Sequence, residues 1–352
     1  MRIAQVAPLI ESVPPRFYGG TERVVAFLTD ELVKLGHDVT LFASGDSQTL
    51  ARLITVWPRA LRLDDSCREP LAPHVLMLEE VAKRIHEFDV VHFHIAEFHL
   101  PIARRLPVAH ITTMHGRLDI AELGPLFAEF HDVPVVSISD AQREPLPQCD
   151  WIGTVYHGMP IDLLPFHRGP GKYLAFLGRI SPEKRVDRAI AIATACGQPL
   201  RIAAKVDPAD RTYFEQEIRP LLDNPLVEFI GEINEQDKAD FLGEAAGLLF
   251  PIDWPEPFGL VMIEALACGT PVIAFRGGSV PEVIDEGVTG FIVDSVDEAI
   301  ARTQTLQRLD RQRCRDVFER RFNVTRMAQD YLTLYQAAFE RRLTQRAVTG
   351  VA

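Results

Sequence analysis

Short apolar runs recur along this chain, and the stretches between them repeat apolar residues at three- and four-residue spacing. The runs at 3–7, 38–43, 89–93, 108–113, 134–139 and 151–156 predict strands, as do those at 173–177, 200–204, 227–230, 248–252, 271–275 and 290–293. Strands that alternate with helices must pair in parallel, because each return to the sheet needs a crossover. The expected fold class is therefore α/β, with doubly wound sheets. Residues 160–172, PIDLLPFHRGPGK, are dense in Pro and Gly and separate the two sets. Single cores stop growing near ~250 residues, so 352 residues suit two domains. The expected boundaries are 1–163 and 172–323, with 324–352 as a terminal helix whose periodic part, 324–343, is long enough to return to the first domain.

Composition sets several classes aside. The net charge is −12, with 14 basic against 21 acidic groups in residues 1–160 and 23 against 28 in the rest, so neither half has the basic surplus of a nucleic-acid binder. The five cysteines, Cys67, Cys149, Cys196, Cys268 and Cys314, are odd in number, scattered, and form no C-x-x-C pair. That pattern fits a reducing, cytoplasmic setting. Residues 1–10 read as a strand rather than a leader, since Gln5 and Pro8 interrupt the apolar run and Glu11 ends it. No run approaches the ~20 apolar residues of a membrane span, so any membrane contact would be peripheral.

Chemistry concentrates in residues 250–281, FPIDWPEPFGLVMIEALACGTPVIAFRGGSVP. The order is strand, loop, helix. Glu256 lies in the loop and Glu264 about one turn into the helix, with the Pro257-Phe258-Gly259 corner between them. A helix start from Gly259 and Leu260 onward presents unpaired N–H groups that favour phosphate, which leaves the two carboxylates for hydroxyls. Earlier in the same half, Gly178-Arg179 ends a strand in GRISPEKR and Lys184 stands five residues on. Two cations there suit a diphosphate. Alone, the acids read as a surface loop and the cations as a solvated turn. Together they point to a ligand with both phosphates and sugar hydroxyls, a nucleotide sugar.

The first half is less explicit. Gly19-Gly20 after the first strand precedes a helix for which Thr21 is the expected cap, but the stretch is neither G-x-G-x-x-G nor a P-loop. It reads as a flexible turn or a phosphate contact. His92 and His94 share one face of a strand, and His99 follows, without zinc spacing. They are substrate-facing or simply packed. His115, in TTMHG, ends a strand, where open α/β sheets bind ligands, although a lone histidine there can equally cap a loop. Acceptor-contact candidates are His92, His94, Glu97 and the 44–52 loop. The run Arg308, Arg311, Arg313, Arg315, Arg320 and Arg321, with acids interspersed, reads as a solvated helix face.

On these motifs the chain resembles GT-B glycosyltransferases of the family 4 (glycosyl transferases group 1) type, over essentially its whole length. EPFGLVMIEALACGTPVIA is similar to the family's E-x7-E signature and GRISPEK to its G-R-x-x-x-x-K segment. The Gly-Gly turn, TMHG and YHGMPID are weaker matches, and the last departs from the usual Asn-Gly-Val-Asp turn at His157 to Asp162. The resemblance implies two Rossmann-like domains facing across a cleft, a C-terminal helix crossing back, and transfer with retention. It implies that Arg179 and Lys184 neutralise the leaving diphosphate, Glu256 holds donor-sugar hydroxyls, and Glu264 holds ribose hydroxyls. Gly19 or Gly20 would approach the distal phosphate, and His115 would face the transferred sugar. Gly178, Pro257, Phe258, Gly259 and Leu260 complete the donor contacts, with Gly277-Gly278 shaping the sugar pocket. No metal site and no cofactor is expected beyond the NDP-sugar co-substrate, UDP-glucose first. PPRFYGGTE and WPEPFG look like a branch acting on small-molecule acceptors. Alternatives on the same fold are a sugar phosphorylase or hydrolase, or a non-catalytic nucleotide-sugar-binding protein. The last is disfavoured because His115, Arg179, Lys184, Glu256 and Glu264 are all present.

Overall fold

A computed structural model describes residues 1–16 and 19–349. They divide into two compact units, Met1–Pro160 together with the segment from Val324, and Ile161–Asn323.

The first unit holds seven strands: β1 (Arg2–Val6), β2 (Asp38–Ala43), β3 (Arg52–Thr55), β4 (Val90–Phe93), β5 (Ala109–Thr113), β6 (Pro134–Ser137) and β7 (Asp150–Thr154). All pair in parallel, in the order β3-β2-β1-β4-β5-β6-β7. The central strands β1 and β4 are buried on both faces, which explains why they do not alternate apolar with polar residues, each carrying a single buried polar side chain, Gln5 or His92, among apolar ones. β3 is not among the strands read from the sequence. Its RLIT segment is a short, partly exposed edge strand with no apolar run to announce it.

The helix after β1 runs Gly20–Lys34, and Gly19 stands at its N-cap with no side-chain cap. Thr21 is thus inside the first turn, a correction to its expected role. A side chain at position 19 would meet Pro15 Cβ at 2.8 Å, so glycine leaves the room that the close approach of Pro15 needs.

The last helix, Val324–Thr349, belongs to the first unit. The Val324 amide donates to the Met159 carbonyl at 3.0 Å, and Arg326 donates to the Tyr156 and His157 carbonyls. Tyr331 and Tyr335 are fully buried, two rings that anchor the helix over the sheet.

The second unit has six strands: β8 (Tyr173–Ile180), β9 (Leu200–Val206), β10 (Val227–Gly231), β11 (Ala245–Phe250), β12 (Val272–Phe275) and β13 (Gly290–Val293). Their order is β10-β9-β8-β11-β12-β13, again all parallel. Counted within each unit, the second sheet runs 3-2-1-4-5-6, the dinucleotide-fold order, and the first runs the same with a seventh strand added at the far edge. The order reverses between β1 and β4 in the first sheet and between β8 and β11 in the second. Ligands of such sheets bind outside the strand ends at that reversal.

The arginine run is only partly solvated, which corrects the expectation. Arg311 and Arg315 stand one turn apart in the Arg311–Arg321 helix and point inward. Arg315, 8% exposed, donates to the carbonyls of Ile161, Leu164 and Ala267, and Arg311 to those of His167, Ala245 and Gly243. The Pro/Gly-rich 160–172 segment is therefore pinned to the second unit rather than loose. Arg315→Met should lower stability by about 2–4 kcal/mol, since it strands two buried carbonyls, of Leu164 and Ala267, and a part-buried one of Ile161. Urea denaturation checks this, and an unchanged midpoint would contradict it.

Candidate functional site

In the second unit the chemistry gathers at the ends of β8 and β11. β8 carries Gly178 and Arg179, then a short 3-10 turn, Pro182–Lys184, brings Lys184 round before the Val186–Cys196 helix. β11 leads into the loop that holds Trp254 and Glu256. The Lys184 ammonium pairs with Glu256 Oε2, and Trp254 Nε1 donates to the same oxygen at 3.1 Å. Lys184 also lies over the rings of Trp254 (4.7 Å) and Phe250 (5.6 Å). Both partners are largely enclosed, at 17% and 10% side-chain exposure, so the pair is screened less than a surface bridge. The two loops are also tied through the backbone, Asp253 N donating to Glu183 O at 2.8 Å.

A second turn frames Glu256. The Ser279 amide donates to the Glu256 carbonyl at 2.9 Å, and Ser279 Oγ to the Phe258 carbonyl at 2.9 Å. Gly278 has φ 53°, and a Cβ there would fall 2.3 Å from the Glu256 carbonyl oxygen. Only glycine tolerates both the backbone angle and the approach. Gly259, at φ 77°, starts the Leu260–Ala267 helix without any side-chain cap, and although Met262 N already donates to Gly259 O at 2.9 Å, the dipole of the helix start favours an anion there. Pro257 and Phe258 are buried, and the Phe258 ring packs against Phe322. Whatever that corner offers a ligand comes from backbone, Gly259 and Leu260.

Arg179 and Lys184 stand on one turn but are held by different carboxylates. Arg179 bonds Glu183, with Asp207 and Asp210 each at 3.7 Å. Glu264, 5% exposed, pairs with Lys238 at 2.7 Å, and Lys238 also faces Glu235 at 3.5 Å. The two glutamates of the signature are thus each matched to a separate lysine.

In the first unit, His115 follows β5 beside a buried polar network. His94 Nδ1 is 2.9 Å from His115 Nε2, and His94 Nε2 is 2.7 Å from Gln5 Oε1. His92 bonds Tyr335 OH at 2.8 Å and Thr113 Oγ1 at 2.7 Å. His92 and His94 are 0% and 2% exposed and have both ring nitrogens engaged, so neither offers a nitrogen to an acceptor as expected. Glu97 is partly exposed. The 44–52 loop bonds inward, Ser47 Oγ accepting from Val13 N at 2.9 Å. His99 is packed, stacked on Phe93 and bonded to Thr112. Gly19 is buried and Gly20 exposed. Phe17 and Tyr18, in the PPRFYGGTE stretch, lie outside the described residues. Among the described residues no group of three or more His, Cys, Asp or Glu side chains is arranged to hold a metal ion. No described helix is long and apolar enough to cross a membrane.

Burial holds His115 at a pKa of about 3 and His94 well below its ordinary value, so both rings are neutral. A folded-state pKa below the unfolded ~6.5 gives stability that is complete above pH 6.5 and lost as pH falls toward 3. For His115 alone the loss at pH 5 is about 2 kcal/mol. Thermal melts from pH 7 to 5 should show His115→Gln declining less steeply than the parent. Parallel slopes would contradict a neutral, buried ring.

Two family models match the chain, "Glycosyl transferases group 1" over residues 166–317 and "Glycosyltransferase Family 4" over residues 18–210. The second takes in more than half of the sequence. The chain belongs to glycosyltransferase family 4. A D-inositol 3-phosphate glycosyltransferase of Corynebacterium kroppenstedtii is 35% identical over 36% of the chain. That match spans only 30% of the relative's own length. A crystal structure of a glycosyltransferase involved in avilamycin A biosynthesis is 26% identical, covers 97% of this chain and 98% of that one, and superposes with a TM-score of 0.72. The Anabaena protein HepE, solved in complex with UDP and glucose, shares the fold at TM-score 0.76 and 17% identity, over 96% and 100% of the two chains. The GT-B architecture of two Rossmann-like units with a C-terminal helix is thereby shared.

As a family 4 chain, this protein brings Lys184 and Glu256 of its two motifs into direct contact, keeps Glu264 on the helix that follows, and pairs Arg179 with Glu183, Asp207 and Asp210 instead. Trp254 and Lys238 were missed in the sequence. Trp254 stands in the WPEPFG loop two residues before Glu256, a local signal. Lys238 is 26 residues from Glu264 on another helix and has none.

Proposed function

We propose that the protein is a retaining, metal-independent glycosyltransferase that moves a hexose from an NDP-sugar, with UDP-glucose the first donor, to a hydroxyl of a small-molecule acceptor. The observation that carries this is the Lys184–Glu256 pair spanning the loops after β8 and β11, at the order reversal of the second sheet. A diphosphate binding at the uncapped 260–267 helix start gives Lys184 a second anion, loosening its hold on Glu256. The carboxylate then accepts from sugar hydroxyls, and Glu264 from ribose hydroxyls. In the reaction, the bond from the anomeric carbon to the diphosphate oxygen breaks and the acceptor oxygen bonds that carbon. The hydroxyl proton leaves with the diphosphate, and Lys184 and Arg179 stabilise the charge that develops there. Retention rests on the family resemblance. The full-length relative in avilamycin A biosynthesis supports a small-molecule acceptor.

Thermal shift with UDP-, GDP- and ADP-glucose, each in excess EDTA, tests the donor. A matched donor at 100 times its Kd adds about 2.7 kcal/mol. UDP-glucose should give the largest shift. No shift with any nucleotide sugar would overturn the reading.

A further inference from the structure

The first unit holds a pocket of about 270 Å³ between the last helix and the starts of β5, β6 and β7. That is room for about nine waters. Leu334, Ala337, Ala338, Arg341 and Arg342 recur at three- and four-residue spacing, so one face of the helix supplies one wall. Pro134 and Ile152 supply apolar surface on the sheet side. Leu334 fits against Gly153, where a Cβ would stand 2.9 Å from its Cδ2, and one turn on the two alanines are too short to fill the gap.

Three guanidiniums line this pocket, and they are not alike. Arg104 bonds Glu129 at 2.8 Å and Asp132 at 2.5 Å, and Arg341 bonds Asp150 at 2.6 Å. Arg342 has no carboxylate among the described residues. Its Nη2 donates to the Leu106 carbonyl at 3.0 Å, and its Nε–H is buried without an acceptor. Nη1 is neither bonded to a described residue nor enclosed, so it and the second Nη2 proton form a free fork. His110 is a wall rather than a contact, with Nδ1 facing the Val108 carbonyl at 3.4 Å and Nε2 enclosed. Burial pushes its pKa down to about 4, so the ring adds no positive charge.

We propose that this pocket binds a small organic monoanion, a carboxylate on an apolar body of one ring or one branched chain, with the carboxylate on the Arg342 fork and the body against Leu334, Ala338 and Ile152. A partly buried guanidinium without a counter-ion is under-compensated, and a carboxylate matches two parallel N–H groups. Asp132, which also lines the pocket, disfavours the higher charge of a phosphate ester. The starts of β5 to β7 are the opposite ends from those where such sheets take their nucleotide ligands, so this site does not rest on the proposed function. A bound acid ties the last helix to the sheet and stabilises the first unit by mass action.

Calorimetric titration of the whole protein with benzoate and with 3-methylbutanoate tests this, with the matching amides as uncharged isosteres. At least one of the two acids should bind with a Kd of about 1 mM or tighter, an affinity within reach of a ligand of this size. Its amide should bind at least about ten-fold more weakly, and Arg342→Met should cost the acid the same factor and erase the difference. Ala338→Phe, which fills the pocket, should abolish binding of acid and amide alike. If either variant does not fold, the difference between acid and amide in the wild type still decides. Binding of neither acid, an amide that matches its acid, or wild-type affinity in Arg342→Met overturns the proposal. Saturating UDP-glucose should leave the affinity of the acid unchanged. Displacement by UDP-glucose would put the acid in the donor site and overturn its assignment to this pocket.

Discussion

Lys184→Met is expected to lower turnover by about 10²- to 10³-fold, the usual loss when one preorganised group that stabilises developing charge is removed. The side chain is held between Glu256 and the rings of Trp254 and Phe250, so its charge is in place before the leaving group departs. Removing it also leaves the Glu256 carboxylate, 8% exposed, with the Trp254 indole as its remaining hydrogen-bond donor among the described residues. Breaking a buried pair from one side costs up to ~3–5 kcal/mol, and the partial exposure here places the loss nearer the lower end. The two effects separate in the double variant Lys184→Met/Glu256→Gln. It should regain stability, because no unpaired carboxylate remains, and regain no activity. Denaturant midpoints together with kcat/KM for the matched donor check this. A double variant that recovers turnover would show that Lys184 acts only as a strut.

Gly278→Ala should destabilise the second unit by about 2–4 kcal/mol and abolish donor binding. The added methyl meets the Glu256 carbonyl oxygen at 2.3 Å and the Glu256 amide nitrogen at 2.5 Å, both backbone atoms that cannot rotate away. The φ of 53° adds strain for any side chain. Relief requires the 277–279 turn to move off the 254–258 loop, breaking the Ser279 bonds to the Glu256 and Phe258 carbonyls. Glu256 would then lose its position even though its own residue is unchanged. Calorimetric titration with UDP-glucose, alongside a urea melt, measures both effects. Wild-type affinity in Gly278→Ala would mean that the turn does not position Glu256.

Much of the architecture is legible in sequence because doubly wound sheets bury their strands on both faces, so that β11 and β12 appear as plain apolar runs and β1, β4 and β8 as largely apolar ones. The edge strand Arg52–Thr55 escapes for the opposite reason, since it is partly solvated and too short to show a period. The site divides along the same line. Lys184 and Glu256 are 72 residues apart, yet each lies in a local motif whose chemistry demands a partner. Lys238 lies in no such motif. His92 and His94 do share one face, as their spacing requires, with rings 3.8 Å apart. Their interior location depends on Tyr335, 243 residues further along, which covers that face. Period and motif carry no information about such a cover. Arg315 is legible as a charge, but its inward direction depends on three carbonyls that collect only in the folded unit.

The central claim is that protein cations, Lys184 with Arg179, neutralise the departing diphosphate. The most direct measurement is the rate of UDP release from UDP-glucose, to water or an added hydroxyl acceptor, with and without excess EDTA. The account predicts the same rate in both and a loss of at least about 10²-fold in Lys184→Met. Release that stops in EDTA, returns with Mg²⁺ and is unaffected by Lys184→Met would contradict it.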